Sequence, residues 1–361
     1  YCSGLSNRYS EITVKPLLGD QEMVLRERCL TILCSLAIFV SIEAAWEHSQ
    51  HSSIINSGQK LDLLMCVTGQ TQRLELKSKV ENFVLYNRMK GHSVDAILIL
   101  DDREVATYVN KGQGTNQNSI SEELDVKKYG ILLKDLAENV ITVNFKPPQN
   151  PKVVPWYRDS LDKDKAGNNT ERMQGHARQF ATIERCMDEM IKLERRKGKQ
   201  YHEILRIRDD GILLAPVQAI HEQNHEKDFL VNECDSWWGG VNDKAALMLR
   251  HVADTYFRGF RRALYVNKGG LHPDVVIKDP ETLTYSILKQ AHVKVERSFH
   301  NMPVIPIRYN KVHPCLHGAD TFCWEEHSMD IHSGIPFCKE KKHHHRLHLE
   351  DVQDEIDSAR N

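Results

Sequence analysis

The sequence lacks a large net charge of either sign, since its formal net charge over 361 residues is only −2. Proteins that bind nucleic acid are usually basic, so this balance argues against nucleic acid as a partner. An internal repeat is also missing, so no repeat architecture is expected. The length suffices for one large domain or two small ones. The 40% hydrophobic and 27% charged residues indicate an ordinary globular protein.

A long apolar segment is absent as well. The run Cys29–Ile42 contains no charged residue, but a membrane-spanning helix needs about 20 apolar residues. Extending the run to Trp46 gives 18 residues, with Glu43 inside the segment. Arg26 and Arg28 precede the run and acidic residues follow it, which is typical of a signal anchor whose N-terminus faces the cytosol.

We therefore predict a cytosolic tail over residues 1–28, a signal anchor over 29–46 and a polar stem over 47–60. The first residue is Tyr1 rather than Met, so we expect the N-terminus to be incomplete. This organisation corresponds to a single-pass type II protein of the Golgi or endoplasmic reticulum membrane. A cleaved signal peptide and a buried helix of a soluble protein are the alternatives for the same apolar run.

Paired cysteine motifs are missing, although the chain contains nine cysteines. Without a Cys-x-x-Cys pair or a regular spacing of histidines, zinc is not favoured in the Cys/His-rich extension 311–361. The cysteines after the apolar run are expected to form disulfides in a lumen, with Cys315, Cys323 and Cys338 favoured because they are close in sequence. The connectivity does not follow from the sequence. The sequon Asn168-Asn169-Thr170 also favours a secretory lumen.

The pattern of apolar runs predicts an α/β domain over residues 61–310. Three short apolar strands alternate with helical segments, at Leu61–Val67, Asp95–Leu100 and Val140–Phe145. This β-α-β order predicts a mostly parallel central sheet flanked by helices, preceded by the short N-terminal apolar helix. The further predicted elements are helices at 72–90, 129–138, Met173–Arg196, Asp243–Phe257 and Pro280–Gln290, and strands at His202–Ile207, Phe229–Glu233 and Val304–Ile307.

Four charged residues at the end of one predicted strand give the strongest chemical signal. In the segment YHEILRIRDDG an apolar strand is followed by Arg206, Arg208, Asp209 and Asp210. Ligands of open α/β sheets bind beyond the carboxyl ends of the strands. The two arginines alternate with an isoleucine, so both lie on one face of the strand. This mixture suits a diphosphate, whose charge is neutralised by arginine or by a metal on carboxylates. A surface ion-pair cluster is the alternative.

A second cluster, Cys234–Lys244, combines two tryptophans, two glycines and the pair Asn242-Asp243. Glycine allows the backbone to approach a ligand closely, and the aromatic rings can stack on a base or a sugar. If a helix begins at Asp243, its carboxylate either stabilises the helix dipole or acts as a general base that deprotonates an acceptor hydroxyl group. On physical grounds alone the first role is favoured.

Four segments in this order resemble a group of eukaryotic glycosyltransferase-like proteins with a nucleotide-diphospho-sugar transferase fold of the GT-A type. The segments are Cys66–Arg73, Tyr201–Asp210, Trp238–Leu247 and Pro280–Val295, and the resemblance covers residues 61–310. It implies transfer of a sugar from a nucleotide-diphospho-sugar donor to a hydroxyl group of a glycan, protein or lipid acceptor in the secretory pathway.

The resemblance also implies a metal. In such folds an acidic motif binds the divalent ion, Mn²⁺ or Mg²⁺, that holds the donor diphosphate. Here Asp209 and Asp210 take that place, and Asp210 is the better match and a candidate catalytic residue. The chain departs from the pattern because it has no Asp-x-Asp motif. Arg206 and Arg208 are therefore expected to share in neutralising the diphosphate.

The remaining candidates lie in two other segments. The resemblance matches Asp243 to the position of the general base near the acceptor. The candidates for donor binding are Gly69, Gln70 and Arg73, together with Asn242.

Two other functions remain open. The chain could be a non-catalytic lumenal member of the same fold, since arginines replace part of the acidic motif. It could also be a soluble Rossmann-like enzyme such as a methyltransferase. The second is disfavoured because Thr68-Gly69-Gln70, after the first predicted strand, has one glycine and no glycine-rich fingerprint.

Overall fold

A computed structural model describes residues 60–102, 126–161, 168–223, 226–233, 239–266, 271–310 and 315–318 of the chain. The predicted tail and anchor, most of the stem and most of the C-terminal extension lie outside these ranges, as do residues 234–238. No helix within the described ranges is both long enough and apolar enough to cross a membrane.

Within the described ranges, ten strands form two sheets. The larger sheet has seven strands in the order β3-β2-β1-β4-β7-β6-β8, and the smaller has three in the order β10-β9-β5. The strands are β1 Asp62–Gln70, β2 Ser93–Asp101, β3 Val140–Asn144, β4 Glu203–Arg208, β5 Gly211–Leu213, β6 Phe229–Val231, β7 Ala245–Leu249, β8 Val295–Arg297, β9 Val304–Asn310 and β10 Cys315–Gly318.

The direction of the strands defines one edge of the large sheet. β1 pairs in parallel with both β2 and β4, and β7 is antiparallel to both β4 and β6. Six strands therefore run one way and only β7, of those described, is reversed. The chain leaves β1 towards β2 and β3, then returns to the other side of β1 to form β4. This change of direction makes a topological switch point between β1 and β4, where ligands of α/β sheets usually bind.

Helices cover both faces of the large sheet. The first, α1, continues without a break through Lys77–Lys79, Val80–Leu85 and Tyr86–Met89, and its middle part is π-helical. The others are α2 Val126–Leu136, α3 Pro155–Ser160, α4 Asn169–Lys197, α5 Ala253–Arg261 and α6 Pro280–Gln290. Short 3₁₀ turns at Thr71–Arg73, Ile220–Glu222 and Arg250–Val252 and a π-helical turn at Arg262–Val266 complete the described elements.

Two apolar cores lie on opposite faces of the sheet. Alternate residues of each strand point to opposite faces, so Ile204 packs on one side and Leu205 and Ile207 on the other. Helices α3 to α6 cover the first face and α1 and α2 the second. The α/β class with a mostly parallel central sheet flanked by helices is thus confirmed.

The long helix α4 begins at Asn169, four residues before its predicted start at Met173, and ends at the predicted glycine. The Asn168 side chain accepts a hydrogen bond from the backbone N–H of Thr170 at 2.9 Å, which satisfies one of the free donors of the first turn. At the other end Gly198 takes the left-handed conformation, with φ 66°, which glycine adopts without strain. The predicted stop at Gly198 is confirmed.

The predicted helix Asp243–Phe257 is wrong in its first half. Ala245–Leu249 forms β7, between β4 and β6, and the helix begins only at Ala253. The segment AALML contains good helix formers, so its local preference is for a helix. Its buried place between two strands overrides that preference. Asp243 therefore precedes a strand and is not the first residue of a helix.

A disulfide joins the sheet to the helix α4. Cys66 of β1 and Cys186 of α4 are bonded, with 6.4 Å between their Cα atoms, and both side chains are fully buried. The expectation of a disulfide beyond the apolar run is met, although between two cysteines that the sequence did not single out. The favoured group of Cys315, Cys323 and Cys338 has no described side chains.

Candidate functional site

The predicted residues converge at the switch point, where β1 and β4 end. Thr68 lies beside Arg208 across the parallel pair β1–β4. Because β7 is reversed, its first residues meet the last residues of β4, and the Arg208 N–H donates to the Lys244 carbonyl at 2.8 Å. Residues from 68–73, 206–210 and 239–244 therefore share one edge of the sheet. Arg206 and Arg208 face the same side as α4, as strand alternation predicts.

Asp209 holds the turn that follows β1 in place through hydrogen bonds. Its fully buried carboxylate accepts hydrogen bonds from the Gln70 backbone N–H at 2.7 Å and from Arg73 Nε at 2.9 Å. Arg73 Nη2 donates to the other carboxylate oxygen at 3.1 Å. The structure thus brings Gly69, Gln70 and Arg73 to the site, and their shared partner is Asp209.

Gly69 is required by this close approach. Its φ of +149° is one that other residues rarely adopt, and a Cβ placed there would lie 2.1 Å from Asp209 Cγ. No rotation of a flexible side chain relieves that overlap, because the carboxylate is held by Gln70 and Arg73. The glycine predicted for nucleotide binding therefore has a demonstrable structural role at the same position.

We expect Gly69→Ala to lower the free energy of unfolding by about 1–3 kcal/mol, the usual range for a residue forced into a strained conformation. Gly91→Ala is the matched control, because Gly91 has φ +90° but nothing within 4 Å of the added Cβ. Urea unfolding of both variants separates the overlap with Asp209 from backbone strain alone. Equal losses in the two variants would contradict the role assigned to Asp209.

Asp210 and Arg208 form a bidentate ion pair. Arg208 Nε and Nη2 each donate to one oxygen of the Asp210 carboxylate at 2.9 Å. Arg73 Nη1 lies 3.5 Å from the same carboxylate and Arg208 Nη1 lies 3.7 Å from Asp243. Burial opposes the charged form of Arg208, but the carboxylates of Asp210 and Asp243 outweigh it and raise the pKa of the guanidinium. Arg208 is positively charged at every pH of interest.

This arrangement does not fit a divalent metal at Asp209 and Asp210. Their oxygens accept hydrogen bonds from the guanidinium groups of Arg73 and Arg208, and those positive charges repel a cation. In the described part of the chain no group of three or more His, Cys, Asp or Glu residues is placed to hold a metal ion. We therefore derive no step through a metal.

Asp243 is held as a carboxylate by three neighbours. Lys244 Nζ lies 2.5 Å from one oxygen, Gln179 Nε2 of α4 donates to the other at 2.7 Å, and Arg208 is nearby. Burial raises the pKa of Asp243, but the positive charges of Lys244, Arg208 and Arg206 outweigh it and hold that pKa well below its usual range. A carboxylate this acidic is a weak base at neutral pH.

Arg206 lies beneath this cluster and is only 1% exposed. Its Nε donates to Thr68 Oγ1 at 3.2 Å, and its Nη1 donates to the Asp243 carbonyl. Burial of a charged group is costly unless it is paired and hydrogen-bonded. Its side chain therefore supports the backbone at Asp243, and Arg208 and Lys244 are the cations that reach the surface of the site.

Asn242, a predicted donor-binding residue, has its side chain turned into the loop. Its Oδ1 accepts a hydrogen bond from the Lys244 backbone N–H at 2.8 Å, and the residue is buried. This local turn orients the chain as it enters β7. Asn242 therefore positions Lys244.

Glu281 is a further acidic residue at the site, in the first turn of α6. Its Oε1 lies 3.5 Å from Lys244 Nζ. Burial raises the pKa of Glu281 to about 7, with a further contribution from the Asp243 carboxylate. Sequence analysis did not select Glu281, Lys244 or Gln179. The first two lie inside segments of the resemblance, but nothing in the sequence shows that the two segments meet.

Comparison with models of known protein families and with curated proteins found no match to this chain.

Proposed function

We propose that this chain is a glycosyltransferase of the GT-A type, which transfers a sugar from a nucleotide-diphospho-sugar to an acceptor hydroxyl group. One observation supports this most directly: Arg73, Arg208 and Lys244 gather with four carboxylates at the switch point between β1 and β4. That edge is where α/β sheets bind nucleotides and similar ligands. The resemblance of the four segments points to the same class.

The cations suit the leaving group of such a reaction. A nucleoside diphosphate that departs from the sugar develops negative charge, which fixed positive groups stabilise. The side chains of Arg73, Arg208 and Lys244 are each between 12% and 16% exposed, so they can be reached from solvent while held by their ion pairs. Two donors of the Arg208 guanidinium are taken by Asp210, so this group stabilises the diphosphate mainly through its fixed positive charge.

The location and partners belong to the same proposal. The acceptor is a glycan, a protein or a lipid, and the membrane is contacted through residues 29–46. Protease treatment of sealed microsomes is expected to leave residues 60–361 intact. Complete digestion without detergent, or recovery in the soluble fraction, would contradict a single anchor with a lumenal domain.

The proposal is tested by binding of nucleotide sugars. We expect Arg208→Gln to weaken binding of a nucleoside diphosphate at least tenfold, about 1.4 kcal/mol, and to leave binding of the uncharged nucleoside unchanged. Isothermal titration of UDP, GDP, their nucleosides and the UDP- and GDP-sugars, with and without Mn²⁺, provides the measurement. Arg258→Gln on α5 is the control, because its partners are Asp188 and Asp254. Wild-type protein that binds no nucleoside diphosphate would refute the proposal.

Loss of Arg208 leaves the buried Asp210 carboxylate without its main partner. The double variant R208Q/D210N removes both charges and should restore thermal stability without restoring affinity. If affinity returns along with stability, Arg208 acts only through the fold.

One observation favours a second candidate, a non-catalytic binding protein of the same fold. Asp209 and Asp210, the counterparts of the acidic motif, are both buried and paired with arginine. Binding of a nucleotide sugar with no release of nucleoside diphosphate in any acceptor mixture would support this candidate over the enzyme.

A further inference from the structure

The start of α6 is fixed in place by its own capping interactions. Asp279 caps the helix by accepting from the Thr282 N–H at 2.8 Å, and Thr282 Oγ1 accepts from the Asp279 N–H at 3.1 Å. Pro280 occupies the first helical turn, where its missing N–H costs nothing. Glu281 follows directly, so its backbone position is set by a rigid helix terminus.

The loop before β7 packs closely on this helix terminus. The Val241 N–H donates to the Glu281 carbonyl at 3.2 Å. A Cβ at Gly240 would lie 2.8 Å from Glu281 Cβ and from the Thr282 backbone nitrogen, so only glycine allows this contact. The contact brings Lys244, two residues after Asn242, between the carboxylates of Asp243 and Glu281.

The two carboxylates on either side of Lys244 have different surroundings. Asp243 lies 2.5 Å from the ammonium group and also accepts from Gln179, whereas Glu281 lies 3.5 Å from the same ammonium group. The Asp243 pKa is held low and burial raises the Glu281 pKa to about 7. Two neighbouring carboxyl groups with pKa values pushed apart are typical of an acid–base site.

We propose that Glu281 is the catalytic base that takes the proton from the acceptor hydroxyl group. This role rests on the proposed function. The acceptor O–H bond breaks and its proton moves to a Glu281 carboxylate oxygen. The acceptor oxygen bonds to the anomeric carbon of the sugar, and the bond from that carbon to the diphosphate oxygen breaks. The electron pair leaves with the nucleoside diphosphate, next to Arg208 and Lys244. Direct displacement inverts the configuration at the anomeric carbon.

Charged and titratable groups face Glu281 from several elements. Asp243 and Lys244 face it from the loop before β7, Asp279 from its own helix and Tyr157 from α3. Arg297 of β8 approaches the Gly240 carbonyl at 2.8 Å. Burial, together with the negative charges of Glu281 and Asp279, raises the pKa of Tyr157 well above its usual range. Tyr157 therefore stays neutral and does not act as the base.

The test compares Glu281→Gln with Asp279→Asn in release of nucleoside diphosphate from a panel of nucleotide sugars, with water as the acceptor. Glu281→Gln is expected to lower kcat about 100-fold or more, the usual contribution of a general base, and to leave nucleoside diphosphate affinity unchanged. Asparagine still caps the helix, so Asp279→Asn is expected to keep its turnover. Product released by the wild type should have inverted anomeric configuration.

The pH profile provides a second readout that a misfolded variant cannot mimic. A base has to be deprotonated, so wild-type kcat is expected to fall as the pH drops below about 7, the Glu281 pKa. Asp279→Asn removes a neighbouring negative charge and should move this limb to lower pH. Unchanged turnover in Glu281→Gln, or an unmoved limb in Asp279→Asn, overturns the role of Glu281. Wild-type binding without turnover also overturns it. Absence of binding refutes the proposed function as well.

Discussion

Replacing Cys66 and Cys186 together with alanine is expected to lower the free energy of unfolding by about 2–5 kcal/mol. The disulfide joins residues that are 120 positions apart. A cross-link over so long a segment removes many conformations from the unfolded chain, so its stabilising effect lies at the upper end of the usual range. Most single domains are stable by only about 5–15 kcal/mol, so the double variant should lose a large part of its stability.

Urea unfolding of the double variant, of oxidised wild type and of wild type reduced in denaturant provides the measurement. Both cysteines are fully buried, so reduction of the folded protein should be slow. If reduced wild type and the double variant lose similar stability, the loss is due to the missing disulfide and not to the smaller alanine side chains. An oxidised wild type no more stable than the reduced form would contradict the prediction.

Lys79→Met is expected to cost about 3–5 kcal/mol, which is typical for breaking a buried ion pair from one side. The Lys79 and Glu75 side chains are both 0% exposed, with Nζ 3.2 Å from Glu75 Oε2. The ammonium group also donates to the carbonyls of Asp209 and Gly211. Methionine fills similar space but leaves the Glu75 charge and three carbonyl groups, those of Glu75, Asp209 and Gly211, without this donor.

Lys77→Met is the matched control, two residues earlier in the same helix and partly exposed. A surface change of this kind usually alters stability by less than about 0.5 kcal/mol. The double variant K79M/E75Q removes both charges and should recover part of the loss. Chemical unfolding of the three variants measures their free energies of unfolding. Equal values for Lys79→Met and Lys77→Met would contradict the stabilising role of the buried ion pair.

Local patterns in the sequence predicted much of the fold. Short apolar runs gave the positions of β1, β2, β3 and β4, and Gly198 marked the end of α4, because these features depend on neighbouring residues alone. Ala245–Leu249 was predicted as a helix because alanine, leucine and methionine favour helices. The segment forms a strand because it pairs with β4 and β6, which lie in other parts of the chain. That pairing does not follow from the segment itself.

The site was predicted only where it depends on neighbouring residues. Strand alternation placed Arg206 and Arg208 on one face, and the end of β4 placed Asp210 near them. The pairing of Asp209 with Arg73 spans 136 residues, and the buried state of Lys79 depends on carbonyls about as far away. The sequence around Lys79 resembles an exposed helix surface. Glu281 in the same way looked like an ordinary first-turn acid.

The reversed direction of β7 alters how the chain reaches the site. β1 and β4 contribute residues that follow them to the site, and those residues are tied to the sheet by the Asp209 contacts. β7 contributes residues that precede it, so the chain enters the site through 239–244 before it joins the sheet. Connections between elements tolerate insertion and exchange far better than strands do. The segment 239–244 is an exception to this tolerance, because Gly240 packs on Glu281 and Asn242 holds Lys244. In the proposed enzyme, an insertion or exchange there is therefore expected to disturb the site as much as a change within β4 does.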